Sequence, residues 1–304
     1  MNNFWNEIKR LYRNGEIVTR LIMINVAVFV VVNVVHVLLF LFSPNIDAVA
    51  ASMDSILGWL AVPSSVGDLA TRPWTLFTYM FLHKEFFHVL FNMLWLYWFG
   101  KIFLMYIDQK KLLGVYLLGG LSGAALYMMA YNFFPAFAQY VPYSIMLGAS
   151  ASVMAVVFAI SFYVPDYSIN LLFVGPVKLK YIAVFTIVLD FLMIASSNAG
   201  GHISHLGGAL FGYIFMMQYK KQKDITKWAW GLFYPDKSSG GKKQYKNPHM
   251  HVSYKKPKTD MEYNKQKADE RELLDGILDK IAKSGYESLS AKEKEILFKM
   301  SSKR

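Results

Sequence analysis

The chain has 304 residues, of which 55% are hydrophobic and only 17% charged, against about 25% charged in an average soluble domain. Mean hydropathy is +0.29, and charge is sparse from Leu21 to Tyr219 but dense from Lys220 onward, which excludes an ordinary soluble protein and indicates a membrane protein with a basic tail. The formal charge of +11 sits mostly in that tail, with 21 Lys/Arg against 12 Asp/Glu from Lys220, so it is no nucleic-acid signature; the lack of cysteine excludes disulfides, thiolate metal sites and cysteine nucleophiles.

Residues 1–17 read as a basic cytoplasmic arm. A bilayer core takes about 20 apolar residues per helix, and six spans are expected, over about 21–42, 86–107, 112–134, 145–164, 181–194 and 203–219. The first run is longer than a signal-peptide core and no small-residue cleavage site follows it, so it is expected to be retained. A long mixed segment, 46–85, separates spans one and two. Lys9, Arg10, Arg13 and Arg20 precede span one, Lys110 and Lys111 separate spans two and three, and Lys178 and Lys180 precede span five. The alternate connections carry little positive charge, which places both termini in the cytoplasm of a cell (inner) membrane. Beyond the bundle, 221–259 reads as a basic flexible linker and 260–304 as a small helical cytoplasmic tail. In that tail Ser290 and Glu293 have the spacing of a capping box. The fold class expected is therefore an all-α membrane protein, with its core over 18–220.

Polar groups inside a span are costly, and each marks a candidate functional site. Span two carries His88 and Asn92, four residues apart and hence on one helical face, with His83 just before them. Span four holds Gly148-Ala149-Ser150-Ala151-Ser152. Span six opens with His202 and His205 and continues with Gly208 and Gly212, a small-xxx-small pattern for close helix contact. Asp190 lies in span five. A serine becomes a nucleophile when an imidazole takes its proton, and acyl transfer also needs donors for the oxyanion. Ser150 and His205 fall at similar expected depths, and His88 and Asn92 offer N–H donors nearby. Ser152 competes for the nucleophile role, but two residues turn a helix by roughly 200°, so only one serine can face the histidine. His202 competes with His205 as the base, but its expected place in the loop before span six favours His205.

In these residues the chain resembles the rhomboid family of intramembrane serine proteases, over about 15–220. Gly148 to Ala151 matches the GxSx nucleophile motif, His205, Gly208 and Gly212 match HxxGxxxG, His88-xxx-Asn92 matches the second-helix motif, and Trp74 matches the first-loop tryptophan. The resemblance implies a six-helix bundle with span four central. It implies a dyad without an acid, Ser150 as nucleophile and His205 as base, with His88, Asn92 and the Ser150 N–H as the oxyanion hole. Transmembrane proteins would be the substrates, with no metal or organic cofactor. Two departures stand out. Met154 occupies a position where an aromatic commonly stacks on the imidazole, so weaker restraint of His205 is expected. The family's first-loop Trp-Arg pair is Trp74-Thr75 here, so the contacts of that arginine are not expected. His83 reads as structural and Asp190 as a helix-end polar contact, with a gating role for span five open. The alternative function is a catalytically silent rhomboid-like protein that binds or escorts membrane clients. Convergence of His83, His88, His202 and His205 on zinc is a weaker alternative, since no HExxH is present.

Overall fold

The computed structural model describes residues 2–171 and 174–231, and in the C-terminal part 276–281, 283, 285–290, 293, 294 and 297. The chain divides into two units, Met1–Gly240 and Gly241–Arg304.

In the first unit a surface helix, α1 (Asn2–Asn14), leads into α2 (Ile17–Phe42). Only one stripe of α2 is buried (Ile17, Val18, Leu21, Asn25), and Val30, Val31, Val34, Val37 and Leu41 are exposed along its length. Such a helix is stable only where its outer face meets lipid. The long connection after it is folded rather than irregular: α3 (Ile46–Leu60), β1 (Val62–Pro63), α4 (Val66–Thr71), α5 (Thr75–Thr78) and a 3-10 turn at Tyr79–Phe81. Asn45 and Ser65 cap α3 and α4 by accepting from Ala48 N–H and Asp68 N–H.

Next come α6 (Phe86–Tyr106), α7 (Gln109–Phe133), β2 (Ile145–Met146), α8 (Ser150–Tyr163), the hairpin β3 (Ser168–Leu171) and β4 (Gly175–Lys178), α9 (Leu179–Leu192), α10 (Ala199–Lys220) and α11 (Lys227–Gly231). Every residue from Ala151 to Ser161 is buried, which makes α8 the centre of the bundle. It is enclosed mainly by α7 and α10, with α6 and α9 on the remaining sides. Close approach of α10 depends on two glycines. A Cβ on Gly208 would fall inside the backbone of Ala151, with the Ala151 carbonyl carbon at 2.8 Å, and one on Gly212 would lie 3.0 Å from the Ala159 nitrogen. Buried polar groups cross-link the bundle. Asn25 Nδ2–H donates to Tyr116 Oη at 3.2 Å, Tyr116 O–H to the Met80 carbonyl at 3.0 Å, and Tyr79 O–H to the Gly120 carbonyl at 2.6 Å.

Among the described residues three helices, α2, α6 and α7, are long and apolar enough to cross a membrane, and α8 is a shorter apolar helix. The fold is thus mostly helical, as expected, but departs from the expected spans in three places. Span four does not begin at Ile145. Residues Ile145 and Met146 pair with Pro63 and Val62, and Gly148 adopts φ +125, which no helix accommodates. Ser150 is therefore the first residue of α8 rather than some turns below its start. Span six begins earlier, at Ala199, so His202 is a helical residue and not a loop one. The head of the expected flexible linker is folded: α11 docks on α7, with Thr226 against Gly114 and Trp230 buried beneath Lys110 Nζ at 4.9 Å. Residues 232–259 of that linker lie outside the described residues.

In the second unit, Ile277 and Leu289 are buried. Ser290 Oγ accepts from Glu293 N–H at 3.4 Å while Glu293 Oε2 accepts from Ser290 N–H at 2.7 Å, the reciprocal geometry of a capping box. The Lys280 ammonium, followed by the Ser290 groups, holds the Glu293 carboxyl down at about 2. Leu273, Leu274, Ile296 and Phe298, also expected on amphipathic faces there, lie outside the described residues.

Candidate active site

Three independent ties fix the backbone that carries Ser150. The β1–β2 pairing holds Ile145 and Met146, Gly148 N–H donates to the Tyr79 carbonyl at 2.9 Å, and Ala149 N–H points at His83 Nε2 at 3.4 Å. His83 is buried, and that burial, with His88 beside it, pushes its imidazole down to about 4. It is therefore neutral and able to accept from Ala149. As the first residue of α8, Ser150 has an N–H with no acceptor in its own helix. The positive φ of Gly148 serves this turn. Its missing Cβ also leaves space for the His88 ring, whose Cε1 and Nε2 would lie 2.8 and 2.9 Å from such an atom.

Ser150 opens on a cavity of about 880 Å³, which is also lined by His88 and Asn92 of α6, Met154 of α8, Asp190 of α9 and His205 of α10. Phe87 and Phe91 on α6 and Leu189 on α9 border the same space. Ser152 does not. It is 1% exposed and turned toward Gly120 of α7, as the helical rotation between the two serines requires. Asn92 is buried and spends one Nδ2–H on the His88 carbonyl of its own helix at 2.8 Å, which leaves its second N–H for a ligand. The His83 and His88 rings meet edge to face at 5.0 Å.

The first loop carries the contacts that Trp74-Thr75 left unassigned. Trp74 stacks on Trp59 at 5.7 Å and donates Nε1–H to the Trp59 carbonyl at 2.9 Å. Arg72, two residues before it, donates to the Gly58 carbonyl at 2.6 Å and lies over the Trp59 ring at 5.9 Å. An arginine thus braces the loop from the other side of the tryptophan.

The principal departure concerns Asp190. Sequence reading made it a helix-end contact and expected no acid beside His205. In the structure its Oδ1 accepts from His205 Nδ1–H at 2.9 Å and from His202 Nδ1–H at 2.8 Å. The three ligand atoms lie within 4.8 Å of one another, a set that could hold a metal ion. The four-histidine grouping considered from sequence is not the one brought together. A signal for the observed cluster was present: spans five and six are joined by a short connection, so Asp190 and the pair His202 and His205 flank a helical hairpin.

A Rhomboid domain model matches residues 70–222, and a second model, a family of unknown function (DUF6576), matches 258–303. The chain belongs to the rhomboid family. It is similar to the RHOMBOID-like protein 12, mitochondrial, of Arabidopsis thaliana, with 30% identity over a 156-residue match that covers 48% of this chain and 46% of that protein. The chain thus spans about half the length of this curated relative. The rhomboid match takes in Trp74, His83, His88, Asn92, Ser150, Met154, Asp190, His202, His205, Gly208 and Gly212. It establishes a rhomboid-family membrane protein, and in this rhomboid His88, Asn92, Ser150, Asp190 and His205 reach one cavity from four helices.

Proposed function

We propose that this rhomboid is an intramembrane serine endopeptidase. The observation that carries the reading is the shared cavity of Ser150 and His205, with the His205 Nδ1–H engaged by a carboxylate so that Nε2 is left as the base. In this mechanism Ser150 Oγ attacks the scissile carbonyl carbon and its proton passes to His205 Nε2. The Ser150 N–H, His88 and the second Asn92 N–H stabilise the oxyanion. Collapse of the tetrahedral intermediate breaks the C–N bond, and the departing amine takes the proton from His205. Water from the open cavity then attacks the acyl-enzyme with His205 again as base, releasing the acid and restoring Ser150.

The substrate class is transmembrane proteins, entering between α6 and α9 past Phe87, Phe91 and Leu189. The arrangement that accompanies this reading is a six-span bundle in which α8, α9 and α10 join α2, α6 and α7 as membrane helices. The Lys/Arg bias of the loops supports an orientation with both termini in the cytoplasm and the serine near the outer face of a cell (inner) membrane. The 260–304 segment belongs to the cytoplasmic side in this reading, and no cofactor is required by the chemistry.

The test is labelling of detergent-solubilised protein with a fluorophosphonate probe. Wild type and Ser152→Ala are expected to label and Ser150→Ala to lose labelling. Absence of labelling in folded wild type would instead favour a silent rhomboid-like binder of membrane clients.

A further inference from the structure

Asp190 is 6% exposed, and from Val184 to Leu192 it is the one buried residue of α9. Its neighbours Val184, Phe185, Val188, Leu189, Phe191 and Leu192 all face outward. Apolar packing therefore holds the first half of α9, through Leu179, Ile182 and Ala183, whereas the second half is fastened by a carboxylate. That carboxylate offers one oxygen to two imidazoles of α10, at 2.8 Å and 2.9 Å. A buried carboxylate in an apolar helix is costly, and hydrogen bonds to charged groups are the strong ones.

We propose that Asp190 is a positioning residue: it holds the His205 imidazole in the Nδ1–H tautomer, and because it rides on α9, it completes the base only while α9 is closed against α10. The inference rests on the protease reading for its functional meaning. Accepting from Nδ1–H leaves the Nε2 lone pair for the Ser150 proton, and the carboxylate then stabilises the imidazolium formed as that proton moves. His202 shares the same oxygen. It keeps the carboxylate anchored to α10 whichever way His205 turns, and its own Nε2 is not required by the chemistry. A substrate helix that displaces α9 on entry thereby uncouples the base, and the closing of α9 behind it restores the base.

The experiment uses the full chain in detergent and the fluorophosphonate probe, which is small enough to enter from the open cavity and needs no displacement of α9. Asp190→Asn is expected to label about 10- to 100-fold more slowly than wild type, and Asp190→Glu to recover part of that loss. Thermal unfolding of each variant separates positioning from folding. Labelling of Asp190→Asn at or above the wild-type rate would overturn the proposal, since a simple latch, once cut, slows nothing in a small probe. Should Asp190→Asn fail to fold, ¹⁵N-histidine spectra of wild type decide the matter: His205 protonated at Nδ1 is expected, and the Nε2–H tautomer overturns the proposal. Absence of wild-type labelling would sink the protease reading alone, and the ¹⁵N tautomer would still report on Asp190.

Discussion

On the protease reading proposed above, cleavage of a transmembrane substrate by a His205→Gln variant is expected to fall by at least about 10³-fold while its thermal unfolding stays close to that of wild type. General base catalysis by a positioned histidine is worth about 10²–10⁴-fold, and members of a cooperating catalytic set lose more than their separate share when one is removed. The side chain sits at the wall of a cavity rather than in the core, so its replacement by a residue of similar size removes one hydrogen bond, to Asp190, and little packing. The measurement is the single-turnover cleavage rate beside a melting curve. A variant that melts like wild type and cleaves within tenfold of it would mean that another group, with His202 first in line, takes the proton. His202→Gln run in parallel would then show the larger loss.

A Gly208→Val variant is expected to behave in the opposite way, losing the fold and activity together. Any Cβ at this position meets the Ala151 backbone, which is not the far end of a side chain that can swing aside. Two γ-methyl groups add to the overlap. Overpacking of this kind costs about 1–3 kcal/mol or more, which for a domain of this size corresponds to a fall of roughly 5–10 °C in apparent Tm. Because Ala151 adjoins Ser150, whatever relief the helices find by moving apart also shifts Ser150 relative to α10. Fluorophosphonate labelling of the folded fraction should therefore drop too. Unchanged Tm and labelling would show that α8 and α10 are less tightly juxtaposed than described.

How much of this was legible beforehand depended on the physics behind each element. Helices α2, α6 and α7 follow from composition alone, because an apolar run in lipid has no other way to satisfy its backbone; their ends matched the apolar runs within a few residues. The start of α8 did not follow from composition. Ile145 to Leu147 is as apolar as the helix after it, and only the pairing of Ile145 and Met146 with a segment some eighty residues earlier removes those residues from the helix. The residues of the cavity could be proposed from Ser150, His205, His88 and Asn92, since each is a polar group where polarity is expensive. The partnership of Asp190 was only half legible: the short connection between spans five and six brings it near His202 and His205, but the rotation of α9 about its own axis decides whether its carboxylate faces α10 or lipid. Likewise Arg72 stands on the unexpected side of Trp74, and only the fold of α3 brings the Gly58 carbonyl and the Trp59 ring within its reach.

The two-residue ladder between Val62–Pro63 and Ile145–Met146 has a consequence for how local openings are distributed over the molecule. Ser64 N–H also bonds the Ser144 carbonyl, and its hydroxyl donates to the Val141 and Ser144 carbonyls. The first loop and the turn before the serine therefore share one set of amide partners, and neither can open without exposing the other's. In the vocabulary of native-state exchange they form a single foldon. Protection of Ser64 and of Gly148 then belongs to one cooperative event, and the backbone just before Ser150 carries the local stability of a segment some eighty residues earlier in the chain.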